Sequence, residues 1–77
     1  MILKFSTAGC SPCYALGLVL DSMMVEYTDV DISEKVSMAI EYRVMSVPTL
    51  VNTETGARLV GFNDKKILEE WLNDNQG

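Results

Sequence analysis

The chain has 77 residues, 48% of them hydrophobic and 22% charged, with 6 basic against 11 acidic residues and a net charge of -5. This is the composition of one ordinary folded domain over residues 1–77, away from the low-hydrophobicity, high-charge regime of disorder, although a chain so short buries only about 60% of the surface its unfolded form exposes. No stretch gathers the Lys/Arg cluster that nucleic-acid phosphates require, and with no histidine the chain lacks Ser–His and Cys–His catalysis and His-bearing zinc sites. The longest apolar run, residues 15–20, is too short to span a bilayer, and Met1-Ile2-Leu3-Lys4 does not resemble a secretory signal. The expectation is a soluble cytoplasmic monomer that binds neither nucleic acid nor membrane.

Residues 2–6 are short and apolar-rich and are ended by Thr7-Ala8-Gly9, which reads as a first strand running into a loop. From Ser11 onward, Ala15, Leu16, Val19, Leu20, Met23 and Met24 recur at three- and four-residue intervals. They predict an amphipathic helix with Pro12 near its first turn, slightly weakened by Gly17. Residues 25–30 are β-prone. Asp31-Ile32-Ser33-Glu34 then has the spacing of a capping box and predicts a second helix with a buried stripe of Val36, Ala39, Ile40 and the stem of Arg43, ending before Val47 because Pro48 follows. Residues 48–52 and 57–61 flank Thr53-Glu54-Thr55-Gly56 as a hairpin. Asn63 is positioned to cap a last helix with Ile67, Leu68, Trp71 and Leu72 on one apolar face, and residues 73–77 are expected to fray. The order βαβαββα is that of an α/β domain whose first two strands are parallel, joined by a helical crossover.

Cys10 and Cys13 are the only cysteines. A bridge across two intervening residues ties no distant parts of a fold together, so its use is chemical. The pair sits where a strand gives way to a helix, the setting of a redox dithiol. Cys10 falls at the helix N-terminus, where unpaired N–H groups and the positive end of the helix dipole favour a thiolate; Cys13, a turn later, is expected to be more enclosed. Cys10 is therefore read as the nucleophile toward a substrate disulfide and Cys13 as the thiol that resolves the mixed disulfide. Two competing readings are incidental core thiols and a metal site, for which zinc would lack two of its four ligands unless a dimer shared one ion.

Three segments carry a family resemblance. Phe5-Ser6-Thr7-Ala8-Gly9-Cys10-Ser11-Pro12-Cys13 resembles the active-site strand and motif of the thioredoxin and glutaredoxin superfamily, Tyr42-Arg43-Val44-Met45-Ser46-Val47-Pro48-Thr49-Leu50 its cis-proline segment, and Leu59-Val60-Gly61-Phe62-Asn63-Asp64 the strand, glycine and helix start that complete its groove. The resemblance implies a minimal thioredoxin fold, a four-stranded mixed sheet flanked by three helices. It also implies a cis Val47-Pro48 peptide lying against the dithiol, with the Val47 backbone pairing to an extended substrate segment. Gly9, Ser11, Pro12, Tyr14, Gly61 and Phe62 would join them in binding substrate, with Met45, Ser46 and Asn63 on the rim, although Met45 reads equally well as core; Trp71 reads as packing. The chain departs from the family in having Gly9 where thioredoxins usually carry tryptophan and Lys4 where they usually carry an acid. Lys4 is read as a solvated edge residue in preference to a thiolate-stabilising charge. It also lacks the paired glycine of glutaredoxins, having Gly61-Phe62, and their basic residue near Thr7. Short length and Gly-Phe look most similar to small glutaredoxin-like thioredoxins.

The function expected is a thiol-disulfide oxidoreductase that donates electrons to protein disulfides, with ribonucleotide reductase as one acceptor. It would be recharged by a thioredoxin-reductase-like or glutathione system and would need no cofactor beyond its own Cys10–Cys13 disulfide. The alternative is a soft-metal carrier that holds Cu(I) between the same two thiolates. Small metallochaperones of that kind resemble a strand-ended order, whereas this chain is expected to finish on a helix.

Overall fold

A computed structural model describes residues 1–62 and 64–75. Along the described residues run strand β1 (Ile2–Ser6), helix α1 (Ser11–Ser22), strand β2 (Thr28–Asp31), helix α2 (Val36–Glu41), strands β3 (Thr49–Asn52) and β4 (Arg58–Val60), and helix α3 (Lys65–Asn75). The sheet order is β2-β1-β3-β4. β1 runs parallel to β2 and antiparallel to β3, and β3 and β4 form the hairpin, so the expected mixed sheet of the thioredoxin fold is present. Gly56, at φ 81°, supplies the left-handed turn residue that the hairpin sequence called for.

β1 is an interior strand, and its alternation sends side chains into two apolar layers. Ile2 and Leu50 pack with Leu16 and Leu20 of α1, Val25, and Leu68 and Leu72 of α3. On the opposite face Leu3, Phe5, Val30 and Val51 form a second cluster, covered by Met38, Tyr42 and Val44. Each such side chain contributes about 1.5–3 kcal/mol of burial relative to exposure.

Local chemistry moves several expected boundaries. Pairing with β1 begins only at Thr28, opposite Leu3, and runs through Asp31, so Val25 belongs to the core as a loop residue and Asp31 is strand. The capping box does not form. Asp31 accepts from the backbone and hydroxyl of Ser33 at 2.8 and 2.6 Å, making a turn, and α2 starts later at Val36 behind an N-cap Lys35 with no side-chain hydrogen bond. The stripe expected to be buried is exposed: Val36 and Ile40 face outward, Ile40 at 70% exposure, and with Ala39, Arg43, Val44 and Met45 they line a shallow surface groove. Met38 and Tyr42 have the same helical spacing on the other side of α2, and the tilted Phe5–Tyr42 ring contact, with centroids 5.8 Å apart, belongs to the buried face.

At the end of α1, the Val25 N–H donates to the Leu20 carbonyl and the Met24 N–H to the Asp21 carbonyl, the paired bonds of a Schellman cap. Met24 takes the left-handed position at φ 58° and is exposed, as is Ala15, so the buried face of α1 is Leu16, Val19, Leu20 and Met23. Ile67 is exposed as well. α3 does not fray at Asn73 but continues to Asn75, which accepts from the Asn52 amide at 3.2 Å. The expected cap, Asn63, lies outside the described residues; the Asp64 carboxylate accepts from the Lys66 N–H at 2.8 Å.

Candidate active site

Residues 7–9 carry the chain from β1 to α1, and Gly9 sits at φ 78°. A Cβ there would meet nothing within 4 Å, so the backbone angle, not lack of space, favours glycine. Cys10 follows in extended geometry (φ -92°, ψ 103°) as the N-cap of α1, and its Sγ accepts from the Cys13 N–H at 3.2 Å. The Tyr14 N–H donates to the Cys10 carbonyl at 3.1 Å and closes the first turn. Pro12 stands in that turn, where its missing N–H costs no hydrogen bond. The cysteines are joined as a disulfide, with Cα atoms 5.2 Å apart. Cys10 is half-buried and Cys13 is only 3% exposed, the asymmetry expected from one turn of helix.

Lys4 is not a solvated edge residue. β1 has a neighbouring strand on each side and α1 lies over this face, where a Cβ on Gly17 would come 3.6 Å from Lys4 Cε and Nζ; Lys4 is 4% exposed. Its ammonium is 3.2 Å from Asp29 Oδ1, brought opposite by the parallel register, and the Ser6 hydroxyl donates to that same oxygen at 2.8 Å. The Tyr27 ring lies 5.9 Å from Nζ, and its phenol donates to Asp21 at 3.0 Å. Burial, then the hydrogen bond and charge of Asp21, raise the Tyr27 phenol above its usual 10.0. Lys4, Ser6 and Asp29 line one cleft of about 260 Å³ together with Gly9, Cys10, Cys13 and Tyr14. Reading the residues alone misses this cluster. Its one signal in the chain is a lysine in a strand destined for the middle of a sheet.

The Val47-Pro48 peptide is cis, as the resemblance implies. Pro48 is buried, and its carbonyl accepts from the Gly61 N–H at 2.8 Å, with Gly61 at φ 83°. Val47 packs against the Leu3–Phe5 cluster and Phe62 against the Ile2–Leu16 cluster, while Ser11 and Pro12 are exposed. Ser46 accepts from the Thr49 hydroxyl at 2.8 Å. Met45 is almost fully exposed, which removes its core reading.

No family model matches the chain. It is similar to the thioredoxin of Staphylococcus aureus, 32% identical over an alignment of 80 positions, gaps included, that covers 92% of this chain and 77% of that one. Among solved structures, thioredoxin NaTrxh from Nicotiana alata superposes with a TM-score of 0.82 at 26% identity, over 96% of this chain and 70% of the other. Mitochondrial thioredoxin 3 from Saccharomyces cerevisiae, in its oxidised form, gives 0.75 at 25% identity, over 95% and 76%. Kinship in sequence and a redox dithiol at the head of α1 lead to one conclusion: the chain belongs to the thioredoxin family and is a thiol-disulfide oxidoreductase.

Proposed function

We propose that the protein is a dithiol electron donor to protein disulfides, in which Cys10 attacks and Cys13 resolves. The observation that carries this reading is the asymmetry of the two sulfurs. Cys10 is partly exposed at the positive end of α1 with an N–H donor on its Sγ, while Cys13 is buried behind it. The Cys10 thiolate attacks one substrate sulfur and the other leaves as a thiolate. Cys13 then loses its proton and attacks Cys10, and the second substrate thiolate departs, so two electrons pass to the substrate and the dithiol ends as a disulfide. The Val47 backbone would pair with an extended substrate segment beside Pro48, flanked by Gly9, Ser11, Pro12, Tyr14, Gly61 and Phe62. Cytoplasmic protein disulfides, ribonucleotide reductase among them, are the proposed acceptors for a monomer recharged by a thioredoxin-reductase-like or glutathione system.

Reduction of insulin disulfides tests the roles. Cys10→Ser is expected to abolish turnover and Cys13→Ser to accumulate a covalent mixed disulfide; full activity in Cys10→Ser refutes the assignment. Turnover driven by thioredoxin reductase against turnover driven by glutathione and its reductase identifies the reductant.

A further inference from the structure

We propose that the buried ammonium of Lys4 sets the acidity of Cys13, favouring its thiolate at the moment of resolution. The proposal rests on the reading of Cys13 as the resolving thiol. Two observations carry it. Lys4 and Cys13 line the same cleft, and both are almost wholly buried. The counter-charge, moreover, is screened unequally: the Lys4 side chain is 5% exposed and that of Asp29 59%. Solvent weakens the field of an exposed carboxylate far more than that of a buried ammonium, so the pair presents a net positive field to the dithiol.

The other groups around Lys4 do not reverse this. Tyr14 also lines the cleft and brings no carboxylate to it. Tyr27 stays neutral, raised by burial and by its hydrogen bond to Asp21, and the Asp31 carboxylate on β2 is taken up by Ser33. Ser6 donates to the Asp29 oxygen that also faces Lys4, which holds the pair together.

In the resolving step the Cys13 proton leaves to solvent through the cleft. The Cys13 sulfur then attacks the Cys10 sulfur, the Cys10–substrate bond breaks as the Cys10–Cys13 bond forms, and the substrate sulfur takes the electron pair and a proton from solvent. A thiolate with as little exposure as Cys13 is costly without a nearby opposite charge. Lys4 supplies that charge.

Reduced Cys10→Ser protein leaves Cys13 as the sole thiol while keeping a capping oxygen on α1. In that background, thiolate ultraviolet absorbance followed against pH gives the Cys13 titration midpoint. Lys4→Met keeps an apolar stem and removes the charge; it is expected to raise the midpoint by about one unit, and Asp29→Asn is expected to lower it. With both cysteines present, Lys4→Met cuts the Cys13 thiolate population about tenfold near neutrality while the more basic sulfur becomes about threefold more nucleophilic, so resolution slows about threefold. A midpoint unmoved by Lys4→Met in a protein that circular dichroism reports as folded overturns the proposal. So does a midpoint that Asp29→Asn raises, and should Lys4→Met not fold, Lys4→Gln, which removes the charge but keeps a hydrogen-bond donor for Asp29, decides in its place by the same criterion. The midpoints do not depend on which cysteine attacks first. A wrong assignment of roles, seen as mixed disulfides trapped by Cys10→Ser instead of Cys13→Ser, is thereby distinguished from failure of the Lys4 proposal.

Discussion

Met24 ends α1 in a conformation that side chains resist, and replacing it with glycine is expected to stabilise the protein. It sits at φ 58°, the left-handed position of the Schellman cap, where a Cβ costs about 1–2 kcal/mol. Its side chain is 87% exposed, so little burial is lost on removing it. Glycine gives back about 0.5–1 kcal/mol through the greater freedom of the unfolded chain. The balance is a gain centred on about 0.75 kcal/mol, or about 3–6 °C in Tm for a domain of this size. Against a total stability of about 4–12 kcal/mol at 77 residues this is readily measured. The assay is thermal and urea unfolding of the oxidised protein followed by circular dichroism, with an unchanged urea slope required so that the shift in midpoint reports stability. Met23→Gly is the control: Met23, at φ -90°, is partly buried against the core, so the same exchange one residue earlier is expected to destabilise. A Met24→Gly midpoint equal to or below that of the parent protein refutes the argument from backbone strain.

Two further outcomes follow from side chains that close local turns. The Arg58 guanidinium donates to the carbonyls of Tyr42 and Arg43 at the C-terminal end of α2, where a cation also meets the negative end of the helix; Arg58→Ala is expected to lower stability by about 0.5–1 kcal/mol in urea unfolding. The Ser33 hydroxyl, then the Ser33 and Glu34 backbone, hold the Asp31 carboxyl below its usual 3.8, so its carbon resonance titrates below the ordinary aspartate range, and Ser33→Ala moves the midpoint upward. Because the folded value is the lower one, the stabilisation this turn provides is present above the ordinary aspartate pKa and disappears as pH falls through the lowered one. The stability gap between parent and Ser33→Ala is therefore expected to close in acid.

What the chain announces by itself are the features set by local spacing. The dithiol at a strand–helix junction, the hairpin around Gly56, and the Leu16–Leu20 and Leu68–Leu72 stripes all depend on neighbours within one or two turns, and all appear where the residues put them. α2 escaped that reading because two apolar stripes compete on it. Val36, Ala39 and Ile40 form one; Met38 and Tyr42 form the other, and only the sheet, by offering Phe5, decides between them. The capping-box spacing after β2 was likewise ambiguous, since Asp31 satisfies Ser33 two residues on as readily as it would a helix N-terminus.

Lys4 illustrates a different limit. Alternation along β1 puts it on the same side as Ile2 and Ser6, and a lysine among alternating residues ordinarily marks a solvent face. That inference fails only because β1 lies between β2 and β3 with α1 above it, which depends on strand order and not on local spacing. Its counter-charge is hidden for the same reason: Asp29 lies 25 residues away and reaches Lys4 through the parallel register that also pairs Leu3 with Thr28 and Phe5 with Val30. A slip of β2 by one residue would set Thr28 or Val30 opposite Lys4, turn the Asp29 side chain to the other face, and leave the ammonium buried without its partner. The pair thus penalises a one-residue slip, and the register it favours is the one in which a positive charge lines the cleft of the dithiol.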